Sequence, residues 1–156
     1  MFIMITVAIV GMSLAYLSKA APPADNAASG RVEMTDVKVE AAGGKVAFDS
    51  VAVKNSRRVY ADYKAAGKTV PLLAYVSSSG KMVAAVSMCE PCSSTRFHIE
   101  GKYLVCNTCG TRWELDSLKG VSGGCQKYPP QRLTSESSGD KVLVSEADVA
   151  GWKPRP

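Results

Sequence analysis

The sequence predicts a small, mostly β domain of antiparallel strands behind an N-terminal hydrophobic helix. Three observations predict this class. An almost unbroken apolar run covers residues 2–17, apolar and polar residues alternate after residue 31, and no helical apolar stripe of useful length follows the first run. The 156 residues are enough for one modest domain with short additions.

The apolar run at the start of the chain has two interpretations. It is shorter than the roughly 20 residues that a spanning helix prefers, and Ser18-Lys19-Ala20 is a weak cleavage pattern for a signal peptide. The usual positive charge before the run is missing, so we prefer an uncleaved signal anchor over residues 1–19, with a signal peptide as the alternative. Both interpretations attach the following domain to a membrane or export it to the extracytoplasmic side.

The next segment predicts a flexible linker over residues 20–30, because it is rich in Ala and Pro and lacks an apolar period. A β-rich metal-binding domain is expected over residues 31–156, with its cysteine motifs inside residues 70–144. Strands are predicted over residues 32–39, 45–53, 59–63, 70–76, 81–88 and 141–145, and a hairpin is predicted over residues 98–105. Glycines at the predicted turns, Gly80 and Gly101, indicate two hairpins, and Ser145 with Asp148 predicts a helix N-cap.

The formal net charge is +5. Such a mild excess favours an anionic membrane face or an acidic redox partner only weakly. No dense block of Lys and Arg with interleaved aromatic residues occurs, so nucleic-acid binding is not expected. The pair Arg57-Arg58 is interpreted as part of a solvated loop.

Four of the five cysteines form two matched pairs, Cys89-Glu-Pro-Cys92 and Cys106-Asn-Thr-Cys109. Each pair follows a predicted strand, and two such turns can bring four thiolates around one metal centre. The spacing alone favours the structural zinc of a zinc-ribbon-like domain over an iron–sulfur cluster. Two disulfides are a third interpretation, and thioredoxin-like exchange is disfavoured because no βαβ pattern surrounds either pair. Gly110 is expected to let backbone N–H groups turn toward the sulfurs.

The fifth cysteine, Cys125, lies in a loop with glycines before it and prolines after it. It is interpreted as a further thiolate for the metal site, a disulfide partner in a covering loop, or an inert buried thiol. His98 is expected to be a hydrogen-bonded surface residue rather than a ligand. Trp113 is expected to pack in the core.

The stretches 88–92, 101–110 and 123–125, with Pro129 and Pro130, together resemble the FtrD-like membrane iron–sulfur proteins, over residues 70–144. The chain departs from that pattern at Gln126 and Lys127, where the family tends to have Asn and Pro. The resemblance implies a membrane-attached protein with an iron–sulfur cluster and an association with iron transport. We expect the cluster to be of the [2Fe–2S] type. It shifts our preference from zinc to iron–sulfur. The layout is also similar to Rieske ferredoxin domains, with residues 124–130 as the covering loop, but His98 lies at neither position where a Rieske centre has histidine ligands.

The sequence therefore predicts an electron carrier or accessory subunit rather than an enzyme. It shows no nucleophile–base pair, carboxylate dyad or phosphate-binding loop, and no small-molecule pocket is evident. The expected partners are the membrane and other subunits of a redox or iron-transport complex. The alternatives are a zinc- or disulfide-stabilised interaction module and a protein that binds iron or copper as cargo.

Overall fold

The computed structural model describes residues 30–155. The predicted N-terminal helix and nearly all of the predicted linker lie outside these residues. Within residues 30–155, no helix is both long enough and apolar enough to cross a membrane.

The described part of the chain is mostly β, as predicted. Its strands are β1 (Arg31–Glu33), β2 (Thr35–Asp36), β3 (Glu40–Ala42), β4 (Lys45–Asp49), β5 (Arg58–Ala65), β6 (Lys68–Val76), β7 (Met82–Val86), β8 (Phe97–Glu100), β9 (Tyr103–Cys106), β10 (Arg112–Glu114), β11 (Gly120–Ser122), β12 (Gln131–Leu133), β13 (Ser135–Ser138) and β14 (Lys141–Ser145). The helical segments are α1 (Ser50–Ser56), a 3-10 turn (Glu90–Cys92) and α2 (Glu146–Gly151).

The strands form three sheets. Their orders are β1-β8-β9-β10-β11, β12-β7-β6-β5-β2 and β13-β14-β4-β3. The strand pairs are antiparallel, as predicted, except that β2 runs parallel to β5. Both predicted hairpins are confirmed. Val76 pairs with Met82 across the first turn, and Glu100 pairs with Tyr103 across the second.

We call the sheet β12-β7-β6-β5-β2 the central sheet. It is buried on both faces, and alternate side chains of β6 enter two different hydrophobic clusters. Leu72 enters the cluster away from the cysteines, whereas Leu73 and Tyr75 enter the cluster that contains them. Because successive strand residues point to opposite faces, a strand covered on both sides needs a continuous apolar run. This explains why residues 70–76 and 82–86 are apolar without alternation.

We call these two groups the distal cluster and the cysteine-side cluster. The distal cluster comprises Val46, Phe48, Val53, Val59, Ala61, Ala65, Val70, Leu72, Ala74, Ala84, Val86, Leu133, Val142, Val144, Val149 and Trp152. The cysteine-side cluster comprises Leu73, Tyr75, Val83, Cys89, Phe97, Ile99, Leu104, Cys106, Trp113, Leu115, Leu118 and Cys125.

The strand predicted over residues 45–53 is wrong in its second half. It ends at Asp49, and the chain continues as helix α1. The Asp49 carboxylate accepts hydrogen bonds from the amides of Val51 and Ala52 at 2.7 and 2.9 Å, which is an N-cap. This cap starts a helix where the apolar alternation alone indicated a strand. The N-cap predicted at Ser145 is confirmed, since its hydroxyl accepts from the Asp148 amide at 3.2 Å.

The prediction of a solvated arginine pair is half wrong. Arg57 is exposed and ends helix α1 with a left-handed φ of 58°. Arg58 is fully buried at the first position of β5. The reversal at Arg57 turns the next side chain into the protein, which neighbouring charges in the sequence do not reveal.

Candidate metal centre

The first cysteine turn is built by short-range hydrogen bonds just beyond β7. The Cys89 amide donates to the Ser94 carbonyl at 2.8 Å, and the Ser93 amide donates to the Glu90 carbonyl at 3.2 Å. Pro91 lies in the first turn of the 3-10 helix, where its fixed φ is favourable and its missing N–H costs nothing. The turn is therefore closed by its own backbone, with Cys89 and Cys92 at its ends.

The second cysteine turn begins at the last residue of β9. The Cys106 amide donates to the Thr111 carbonyl at 3.0 Å, and the Gly110 amide donates to the Cys106 carbonyl at 3.0 Å. Gly110 has a φ of +68°, which favours glycine. The backbone amides that hydrogen-bond the Cys106 thiol are those of Cys109 and Thr108. Gly110 thus closes the turn, while the amides before it face the sulfur.

The two turns bring the four predicted thiols together. Their sulfur atoms all lie within 4.8 Å of one another, and Cys92 Sγ lies 3.6 Å from Cys106 Sγ. Cys89 and Cys106 are buried, Cys92 is half-buried and Cys109 is exposed. All five cysteines of the chain are free thiols. Four convergent sulfurs are a soft donor set that fits zinc, iron or an iron–sulfur centre.

The buried thiols of Cys89 and Cys106, which we call the inner thiols, have raised pKa values. Burial raises the pKa of Cys89, and hydrogen bonds with the thiols of Cys92 and Cys125 raise that pKa further. Burial also raises the pKa of Cys106, and it outweighs the opposing hydrogen bond from Ser94. Such thiols are protonated at neutral pH until a cation displaces their protons, so metal binding here releases protons.

The exposed thiol of Cys109, which we call the outer thiol, has a lowered pKa. Burial alone would raise the pKa of Cys109, but hydrogen bonds from the Thr111 side chain and backbone outweigh it and lower the pKa to about 6. The fully buried Thr111 hydroxyl lies 3.2 Å from Cys109 Sγ and accepts a hydrogen bond from the Cys125 amide at 3.1 Å. One hydroxyl therefore links the second cysteine turn to the loop that carries Cys125.

That loop packs closely against the second turn because of Gly123. A Cβ atom on Gly123 would lie 2.5 Å from Thr111 Oγ1, and the φ of Gly123 is +98°. The Trp113 indole donates to the Gln126 carbonyl at 3.1 Å, which fixes the far side of the loop. The buried Cys125 thiol contacts that of Cys89, but it lies outside the group of four. Its role as a fifth ligand stays a prediction.

Sequence reasoning missed an ion pair between the first turn and the chain end. The Glu90 side chain is only 5% exposed, and its carboxylate accepts from Arg155 Nε at 2.7 Å and Nη2 at 2.8 Å. Arg155 Nη2 also donates to the Pro129 carbonyl at 2.6 Å, and the guanidinium lies 5.6 Å from the centre of the Tyr128 ring. We call this set of contacts the Arg155 clasp. No local sequence pattern predicts these contacts, since Glu90 and Arg155 are far apart in sequence.

His98 is hydrogen-bonded, as predicted, but it is buried rather than on the surface. Its Nδ1 lies 2.7 Å from Asn107 Oδ1, inside the second cysteine turn, and His98 is not in the thiol group. Trp113 is fully buried in the cysteine-side cluster, which confirms its predicted role in the core.

Comparison with known families gives one match. The family described as membrane iron–sulfur containing protein, FtrD-like, matches residues 53–155. This range includes all five cysteines and Arg155, and it begins well before the stretch that carried the resemblance in the sequence. No curated protein matches the chain. Because the match covers well over half of its length, this chain belongs to the FtrD-like family of membrane iron–sulfur containing proteins.

Proposed function

We propose that this protein is a membrane-attached electron carrier in an iron-transport or respiratory assembly. In this proposal Cys89, Cys92, Cys106 and Cys109 bind iron. The observation that carries it is the convergence of their four sulfurs within 4.8 Å in a chain of an iron–sulfur family. The iron can be held as a [2Fe–2S] cluster, the form expected from the sequence, or as a single ion bound by the same thiolates. Bound iron supplies a one-electron couple.

The surroundings of the sulfurs support outer-sphere transfer. Cys109 is exposed, so one edge of the centre is open to a redox partner, while Cys89 and Cys106 keep the other edge dry. Amides of Thr108 and Cys109 donate to the Cys106 sulfur, and Thr111 donates to that of Cys109. Such donors favour the more negative, reduced state and raise the reduction potential.

Two of the clefts on the described residues lie apart from the proposed centre. They are open, with volumes of about 430 and 380 Å³, and neither is lined by any of the four cysteines. A substrate in either cleft would not touch the proposed centre. We therefore propose that the partner is another protein of the same membrane, which docks at the exposed edge near Cys109.

We further propose that residues 1–19 anchor the protein and that residues 20–30 tether a Rieske-like domain on the extracytoplasmic side. The family's membrane association and the apolar run at residues 2–17 support this arrangement. Alkaline carbonate extraction and protease access in intact spheroplasts test it. Release of the full-length chain by carbonate, or protection of the domain from protease, would contradict it.

A redox titration of the anaerobically purified full chain tests electron transfer. We expect reversible, one-electron bleaching of a visible absorption band, with the same behaviour in Cys125→Ser and no band in Cys106→Ser. A colourless protein that contains zinc and takes up no electron would instead support the structural module. The sulfur geometry gives that second candidate real weight, because zinc accepts the same four thiolates.

A further inference from the structure

We infer that the four thiolates bind one metal ion, not a cluster with two or more irons. The inference deepens the proposed function. The identity of the ion as iron rests on that proposal, whereas the number of ions rests on the sulfur positions alone. A single iron in four thiolates remains compatible with an iron–sulfur protein and with one-electron transfer.

The sulfur positions match the size of a single tetrahedral site. With metal–sulfur bonds of about 2.3 Å, the six distances between the corners of the tetrahedron are each about 3.8 Å. All six distances between the four sulfurs are at most 4.8 Å, and the distance between Cys92 and Cys106 is 3.6 Å. This last pair joins the two turns, so the match is not limited to neighbours within one Cys-x-x-Cys motif.

A two-iron cluster needs a longer arrangement of the same ligands. Each iron takes two of the four thiolates, so four of the six sulfur–sulfur distances must span both irons, however the thiolates are divided. Those distances are about 5 Å or more, because the separation of the irons adds to the metal–sulfur bonds. None of the six observed distances reaches that value. A four-iron cluster separates all of its thiolates and fits less well still.

The backbone resists the movement that a larger cluster would require. The Cys89 amide donates to Ser94 at 2.8 Å, and the Asn107 amide donates to the Arg96 carbonyl at 3.0 Å. The segment just after the first turn is thus hydrogen-bonded to the second turn. Separating the two turns by more than an ångström would break the bond between Asn107 and Arg96. Cys106 is 1% exposed, so inorganic sulfide beside it would also displace packed neighbours.

The test is the metal and acid-labile sulfide content of the full chain, purified anaerobically and analysed by native mass spectrometry. Metal-free protein is then incubated with an excess of ferrous iron and sulfide, so that a cluster can form if the site accepts one. We expect one iron per chain without sulfide, and a high-spin ferric EPR signal after oxidation. Cys125→Ala tests whether the fifth thiol takes part, and Lys141→Ala, which removes an exposed ion pair with Glu40, is the control that should bind the same amount of metal.

The outcomes separate this inference from the proposed function. Two irons with two sulfides per chain would overturn the single-ion inference and leave electron transfer intact. One zinc per chain, with no iron taken up, would support the single ion and end the electron-transfer proposal. Failure to bind any metal from an excess of iron or zinc would overturn both. Loss of half of the metal in Cys125→Ala would also contradict the inference, since the four thiolates alone should suffice.

Discussion

The two hydrophobic clusters on either side of the central sheet differ in how they are closed. The distal cluster contains mainly Val, Ala and Leu and no cysteine. The cysteine-side cluster contains three of the five cysteines and a T-shaped pair of rings, Phe97 and Trp113, with centroids 6.1 Å apart. Its polar tips are satisfied inside the protein, since the Tyr75 hydroxyl donates to the Leu115 carbonyl at 2.9 Å.

This difference indicates a division of roles. Burial of apolar side chains alone stabilises the distal half, because each of them contributes without any ligand. The cysteine side ends in thiols that repel one another when charged and that contribute most to stability when they share a cation. We therefore expect the metal to stabilise one face of the molecule, while the other face holds the fold.

Cys106→Ser should have the largest effect and should act on one face only. We expect loss of the bound metal and a decrease of about 3 kcal/mol or more in the free energy of local opening around β8, β9 and β10. Hydrogen exchange measured by mass spectrometry should show faster exchange there and little change in β4 and β14. Cys125→Ser is the control, and equal acceleration in all three sheets would remove the proposed division.

Phe48→Ala and Phe97→Ala form a matched pair across the central sheet. Both rings are fully buried, one in each cluster, so each truncation should cost about 3–5 kcal/mol in unfolding free energy. Phe97 lies opposite Cys106 in the ladder between β8 and β9. Only Phe97→Ala should therefore also weaken metal retention against a competing chelator. Equal chelator resistance of the two variants would show that packing and metal binding are independent.

Gly123→Ala should destabilise the cysteine side by about 2 kcal/mol. The added methyl group would clash with Thr111, and the φ of +98° is unfavourable for alanine. Gly124→Ala is the neighbouring control, because nothing lies within 4 Å of its Cβ position. Chemical denaturation checks both variants. A Gly123→Ala protein as stable as Gly124→Ala would mean that the loop can move away from the second turn.

Arg155→Ala should cost about 1–2 kcal/mol, because it leaves the nearly buried Glu90 carboxylate without its two charge-assisted hydrogen bonds. The comparison is Lys141→Ala, which removes an exposed pair with Glu40 on the distal side and should leave the unfolding midpoint unchanged. The double variant Arg155→Ala/Glu90→Gln should recover part of the loss. A lack of recovery would argue that the Arg155 clasp acts by packing on Tyr128.

Brief alkylation of the metal-free protein at pH 7 should have the smallest effect on the protein, and it compares the reactivity of the thiols. Cys109, with a pKa of about 6, is mostly thiolate at this pH, whereas the raised pKa of Cys89 keeps that thiol protonated. Peptide mapping should show iodoacetamide on Cys109 first, about tenfold or more ahead of Cys89. Lowering the pH from 7 to 5 should slow the reaction at Cys109, because its thiolate fraction falls. Faster labelling of Cys89 would contradict the assigned inner and outer positions.

Local patterns in the sequence predicted much of this protein. Two matched Cys-x-x-Cys motifs, glycines at the hairpin turns and an N-cap serine act over a few residues, so they can be read without knowledge of the fold. The continuous apolar run over residues 70–76 is consistent with the burial of β6 on both faces. The helix after Asp49 was not predicted, because the alternating apolar residues indicated a strand, whereas the Asp49 N-cap favours a helix at the same place.

Other features were decided only by the tertiary structure. The Glu90–Arg155 pair, the burial of Arg58 and the position of His98 behind the second turn depend on contacts between distant parts of the chain. The sequence by itself determined which four thiols can converge, because the spacing within each motif is local. How closely they converge, and so how many metal ions they can share, depends on how the two turns are held against each other, as by the hydrogen bond between Asn107 and Arg96, and only the folded chain brings these residues together.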